Sequence, residues 1–181
     1  MPAATPVDRL YEEFSSVIAA LGDGEPSLAI AAADNFRKAL VLASASYFEH
    51  SISTCVLDFV HECTNGNSFV VGFVKNKAIA RQYHTWFKWD ESNANQFFGL
   101  FGSSFKQTMV ERVKASDDLR GSIRAFLELG NERNKLVHQD FASFALDKTL
   151  DEIYGLYRQS LLFVEKLAIY LREEQSGDAV G

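Results

Sequence analysis

Between Asp34 and Cys63 the chain has neither glycine nor proline, while Phe36, Leu40, Ala43, Tyr47, Ile52, Cys55, Leu57 and Val60 return at helical intervals. A helix of that length cannot bury such a pattern by itself, so other helices must cover it. The stretch is therefore expected to be the spine of a helical bundle, and Thr64-Asn65-Gly66-Asn67 stops it. The rest of the chain follows the same pattern. Residues 7–21 place Val7, Leu10, Phe14, Val17 and Leu21 on one face before Gly22 and Gly24-Glu25-Pro26. Ser27 can cap a short alanine-rich segment, Leu28 to Ala33. Phe69-Val70-Val71-Gly72-Phe73-Val74 has strand propensity but sits among helices, and residues 68–82 are read as a short helix. Further helices are expected over Asn93–Phe101 and Ser103–Lys114, then from about Ser116 to Gln139. A last helix opens on the capping box Thr149-Leu150-Asp151-Glu152. The organisation expected is an N-terminal helix and linker over 1–26, a helical domain over 27–174 and a disordered tail over 175–181.

With 181 residues, 47% of them hydrophobic and only three prolines, the chain can bury its own core without disulfides. Fifteen phenylalanines provide either a generous core or a core plus an apolar interface. No apolar run reaches the roughly 18–20 residues of a membrane helix, and the first residues show neither a basic n-region nor an apolar h-region. Cys55 and Cys63 are too far apart along one helix to bridge, which fits reduced thiols and a cytoplasmic protein. The net charge of −6 argues against a protein that coats nucleic acid by bulk electrostatics. Its distribution is uneven: residues 75–135 hold eleven Lys/Arg against seven Asp/Glu, and the remainder seven against seventeen. A basic middle of this kind permits a local phosphate-binding cleft, or only solvated helix faces. Tyr83-His84-Thr85-Trp86-Phe87-Lys88-Trp89-Asp90 can stack bases, or form a satellite core under a loop.

Within the 116–139 pattern, Leu119, Ile123, Phe126, Gly130 and Val137 form one apolar stripe. Arg133 and Asn134 flank it within roughly 60° of its centre line, where apolar residues belong. A local rule broken inside a consistent element is a mark of function. The alternative is that Arg133 snorkels, Asn134 caps and His138 marks a helix end.

Arg133-Asn134-Lys135-Leu136-Val137-His138 resembles the R-[N/D/H]-x-x-x-H signature of the HEPN superfamily. The wider frame is similar to its RiboL-PSP type over roughly residues 30–172. It consists of the helix through Ser44-Ala45-Ser46-Tyr47-Phe48-Glu49-His50, the Asn-x-Phe-Phe-x-x-Phe-Gly stretch at 95–102, and Leu136-Val137-His138-Gln139 ahead of Thr149. The resemblance implies an all-α, HEPN-like up-and-down helical bundle with additional short helices. It also implies a metal-independent endoribonuclease that uses no cofactor and cuts single-stranded RNA by 2′-OH attack, leaving a cyclic phosphate and a 5′-hydroxyl. Such a protein is expected to be a homodimer and a toxin or phage-defence effector, with an antitoxin protein as a further partner. The rival reading is a non-catalytic HEPN module that binds RNA or a partner protein, which the acidic balance favours.

The residues suit this chemistry. RNA carries its own nucleophile, so the protein needs only a proton carrier and charge stabilisation. An imidazole such as that of His138 can carry a proton, and a guanidinium such as that of Arg133 can bind phosphate through two parallel hydrogen bonds. Asn134 and Lys135 are supporting residues within the motif, and Glu49 is the carboxylate expected as a buried partner orienting Arg133, or else a solvated charge. His50, His61 and His84 lack the company a transition metal needs. On a continuous helix Arg133 and His138 diverge by about 140°. Either the helix ends between them, or two copies of the motif meet across a two-fold axis.

Overall fold

The computed structural model describes residues 4–178, with side-chain surroundings up to Glu173. In chain order the elements are α1 (Pro6–Gly22), α2 (Pro26–Cys63), α3 (Ser68–Val74), a π-helical turn (Lys75–Ile79), α4 (Tyr83–Trp86), α5 (Asn95–Gly99), α6 (Ser103–Ala115), α7 (Asp117–His138) and α8 (Leu150–Asp178). Among the described residues no strand occurs, and the chain is all-α as its periodicity requires.

Two expectations about elements change. The alanine-rich segment is not separate: Ala29 N donates to Glu25 O at 3.0 Å, and α2 runs unbroken from Pro26 to Cys63. Nothing between Ala33 and Asp34 interrupts a run of good helix formers, and Pro26 suits a first turn because its missing N–H would be unpaired there anyway. The tail expected to be disordered from residue 175 is helical as far as Asp178, and 179–181 lie outside the described residues. Elsewhere local chemistry acts as expected. Asn65 and Gly66 take positive φ (48° and 71°) to stop α2, and the Asn67 carboxamide then accepts from Phe69 N and Val70 N. That cap turns a segment of strand-like composition into α3.

The chain divides into two contact units. The first contains residues up to Tyr47 with Leu129–Arg158. Its α1 starts on a capping box: Thr5 Oγ1 accepts from Asp8 N at 3.1 Å, and Asp8 Oδ2 accepts from Thr5 N at 2.8 Å. The same Asp8, 4% exposed, accepts from the Tyr154 hydroxyl and the Arg158 guanidinium on α8. Burial works against its ionisation, but these hydrogen bonds, with the Thr5 amide foremost among them, bring its pKa below the ordinary value. The Tyr11 ring stacks on Tyr154 at 3.8 Å and Phe14 on Phe36 at 4.1 Å, which fastens α1 to both α8 and α2.

The second unit contains Phe48–Glu128 and the chain from Gln159 onward. Its core is aromatic. Phe87 stacks on Phe97 at 4.7 Å, and Phe126 meets Phe48, Phe87 and Phe163 at 4.9–5.6 Å. The Ser122 hydroxyl, fully buried on α7, donates to Ser160 O and accepts from Phe163 N on α8. A Cβ at Gly121 would lie 2.9 Å from the Gln159 amide nitrogen, the far end of a flexible side chain on the facing α8. Tyr83, Trp86 and Phe87 are buried, with Trp86 Nε1 donating to Ala78 O and Trp89 Nε1 to His84 O. The aromatic stretch at 83–90 is thus a satellite core, and its rings are not a base-stacking surface.

Candidate active site

The ending of α7 sets the geometry of the Arg133–His138 segment. The helix is capped at its start by Ser116, whose hydroxyl accepts from Leu119 N, and carries Asp117 and Asp118 in its first turn. It continues through His138, and Gln139 N still donates to Lys135 O at 3.0 Å. No break separates Arg133 from His138. Of the two geometries open to the sequence, an interruption between them is therefore removed, and the two side chains leave one helix about 140° apart.

Burial along these last turns differs from the expected stripe. Leu119, Ile123 and Phe126 are buried as anticipated, but then the covered face turns toward Leu129 and Leu136, each 1% exposed. Val137, on the original stripe, is 46% exposed. Arg133 and Asn134 are half-buried, and Lys135 and His138 exposed. The surface from Arg133 past Val137 and Asn134 to His138 is a continuous sector of the helix covering about 140°. It holds a cation, an apolar side chain, a carboxamide and an imidazole.

Arg133 Nη1 donates to Asn134 Oδ1 at 3.2 Å, a neutral acceptor. Lys135 is paired with Glu132 at 2.8 Å. Glu49 lies on α2 in the other unit and is exposed, so the buried carboxylate expected there is not formed. The reason is local. On α2 the buried positions are Lys38, Leu40, Val41, Ser44, Phe48, Ile52 and Val56, and Glu49 falls to the solvent side of that row.

Sequence reasoning overlooked a second group in the same unit. Lys38, 2% exposed, donates to Phe141 O at 3.1 Å, pairs with Asp34 at 2.9 Å, and lies 5.3 Å from the centre of the Phe141 ring. One residue earlier, Arg37 donates to Leu146 O, Lys148 O and Asp34 Oδ1. Together these residues hold the loop that follows His138. The Lys38 ammonium, hydrogen-bonded to Asp34, keeps that carboxyl below its ordinary pKa. A signal was present: Asp34-x-x-Arg37-Lys38 places three charges on the row that continues through Val41 and Ser44 into the buried face.

Among the described residues five of the eleven cations in the basic middle are ion-paired, through Lys88–Glu91, Arg112–Glu173, Lys114–Glu111, Arg120–Asp117 and Lys135–Glu132. Arg133 and Lys135 belong to the first unit and the other nine to the second. Among the described residues no three His, Cys, Asp or Glu side chains gather to hold a metal ion, and no helix is long and apolar enough to cross a membrane. Cys55 and Cys63 are free thiols, and burial pushes the Cys55 pKa up to about 11.

The family model described as RiboL-PSP-HEPN matches residues 8–173, which include α1, the Arg133–His138 segment and the described part of α8. Neither a search of curated proteins nor one of solved structures returned a match.

Proposed function

Since this chain belongs to the RiboL-PSP-HEPN family, we propose that it is a metal-independent endoribonuclease cutting single-stranded RNA at a site made from Arg133 and His138. The observation that carries this reading is the state of Arg133, a half-buried guanidinium whose hydrogen bond goes to a neutral amide. Its charge is left for an anion, and a phosphodiester supplies one with matching geometry.

In the proposed reaction the 2′-oxygen attacks the adjacent phosphorus and the bond from phosphorus to the 5′-oxygen breaks. The proton leaves the 2′-hydroxyl and a proton reaches the departing 5′-oxygen, giving a cyclic phosphate and a 5′-hydroxyl. His138 carries the proton at one of these ends, and Arg133 stabilises charge on the non-bridging oxygens. Asn134, hydrogen-bonded to Arg133, holds the guanidinium plane, and Lys135 supports binding of the strand. Because the two principal side chains diverge on one helix, the working unit is a homodimer in which Arg133 of one copy faces His138 of the other. In the cell such an enzyme would act as a toxin or phage-defence effector restrained by an antitoxin protein.

A labelled single-stranded RNA incubated with the purified chain and excess EDTA tests the chemistry. The expected products end in a cyclic phosphate and a 5′-hydroxyl, and His138→Ala slows their formation by about 10²–10⁴-fold. Activity abolished by EDTA and restored by manganese, or full activity in His138→Ala, overturns the mechanism. RNA binding without cleavage by the wild-type chain would favour the non-catalytic module, which the net charge of −6 supports.

A further inference from the structure

In the second unit α2, the π-helical turn, α4 and α5 enclose an open cavity of about 430 Å³. That size falls within the roughly 300–1,000 Å³ of small-molecule sites, and its walls are of the same kind: mainly apolar, with Phe59, Val60, Ile79, Trp86 and Phe101 among them. Two features of its rim set it apart from a packing gap. Ala80 N donates to Lys75 O at 2.8 Å, the wider bond of a π turn, a form frequent at functional sites. The chain then leaves that turn through Arg81 at φ 61°, a left-handed conformation costly for a side-chain-bearing residue. The surrounding composition selects the ligand's charge. From Cys63 to Trp89 there is no Asp or Glu, and Lys75, Lys77 and Arg81 are exposed with no ion pair among the described residues. Lys77 itself lines the cavity, together with Gln82.

We propose that this cavity binds a small amphipathic carboxylate, with its aromatic or medium-chain apolar body against Phe59, Trp86 and Phe101 and its acid group beside Lys77. Each part of the site then has a use. The walls remove apolar surface from water, and the unpaired ammonium meets the one charge that such a molecule carries. A neutral amphiphile of the same length would fill the walls and leave Lys77 without a partner. The site is made of residues outside the Arg133–His138 segment and does not depend on RNA cleavage.

Calorimetric titration of the full chain with decanoate, and separately with decanol, both below micelle-forming concentrations, tests the proposal. The expected result is saturable binding of one decanoate per chain, with decanol weaker by about fivefold, as suits one partly solvated ion pair. Val60→Trp fills the cavity from α2 and should weaken both ligands by more than about tenfold; Ile79→Trp fills it from the π-helical turn should the first variant fail to fold. Lys77→Glu should weaken decanoate by about fivefold or more and leave decanol unchanged. Absence of saturable decanoate binding overturns the proposal, as does unchanged affinity in a folded filled-cavity variant. Equal affinity for the two ligands, unaffected by Lys77→Glu, overturns the carboxylate as the ligand class.

Discussion

Arg133 donates to a carboxamide and not to a carboxylate, and that partner decides what its removal does. Had Glu49 been its buried counter-ion, Arg133→Ala would strand a charge at a cost of about 3–5 kcal/mol. Glu49 is exposed, so the expected loss is about 1 kcal/mol or less, the scale of one hydrogen bond between half-buried groups. Glu49→Gln should change stability by no more than about 0.5 kcal/mol. Denaturant unfolding of both variants checks these values, and a loss above about 3 kcal/mol in either would show an ion pair. Cleavage should respond in the opposite way: Arg133→Ala is expected to lose about 10²–10³-fold, as enzymes do on losing a donor to a developing oxyanion. Arg133 and Asn134 could be picked out from the sequence because they broke an apolar stripe. The choice between Leu136 and Val137 could not, because both lie near that stripe and only the packing around the last two turns of α7 decides which is covered. The exposure of Glu49 was hidden for the same reason, since α2 is apolar on more than one side and its pattern fits more than one buried row.

The loop after α7 is held by its neighbours more than by its own composition. Arg37 and Lys38 reach three of its carbonyls, at Phe141, Leu146 and Lys148, and Asp34 pairs with both cations. Lys38→Met should keep most of the stem's packing while releasing Phe141 O and Asp34, at a cost of about 1–3 kcal/mol. Faster amide exchange or proteolysis confined to residues 139–149 is the expected signature; unchanged protection there would mean that the loop is held by other contacts. Acid should act on the same contact. The Asp34 pKa is lowered in the folded chain, so its contribution is complete above the unfolded value of about 3.9 and is lost as pH falls through the folded value. Loop protection should therefore fall below about pH 4 in the wild-type chain, and Lys38→Met should lack that part of the pH dependence. At this scale the sequence was a good guide wherever a local signal acts alone. The stop after Cys63 and the Thr149–Glu152 capping box both form as read. It was a poor guide where a contact joins distant segments, as Lys38 and Phe141 do, because helical periodicity records that a face is buried but not what covers it.

For the molecule as a whole, the unbroken course of α7 through His138 makes the dimer a requirement of the proposed chemistry. Arg133 and His138 leave one helix about 140° apart, and Val137, 46% exposed, occupies the sector between them. A second copy related by a two-fold axis would bring its own His138 to the first copy's Arg133 and cover Val137 on both sides. Sedimentation at tens of micromolar should then show a species near twice the 20.2 kDa chain mass, and Val137→Glu should shift it toward the monomer with loss of cleavage. Subunit mixing gives the sharper test. Arg133→Ala and His138→Ala are each inactive as homodimers, since every site lacks one member of the pair. When the two are mixed in equal amounts and allowed to exchange, about half of the dimers are mixed, and each has one site with both members intact. About a quarter of wild-type activity should therefore return. A site complete within one chain would recover nothing, because each chain carries a lesion of its own. A symmetric site needing all four side chains would also recover nothing. Failure to regain activity, with exchange demonstrated by differently labelled chains, would thus overturn the shared-site arrangement, whereas inactivity of the wild-type chain on every RNA offered would count against the enzyme itself.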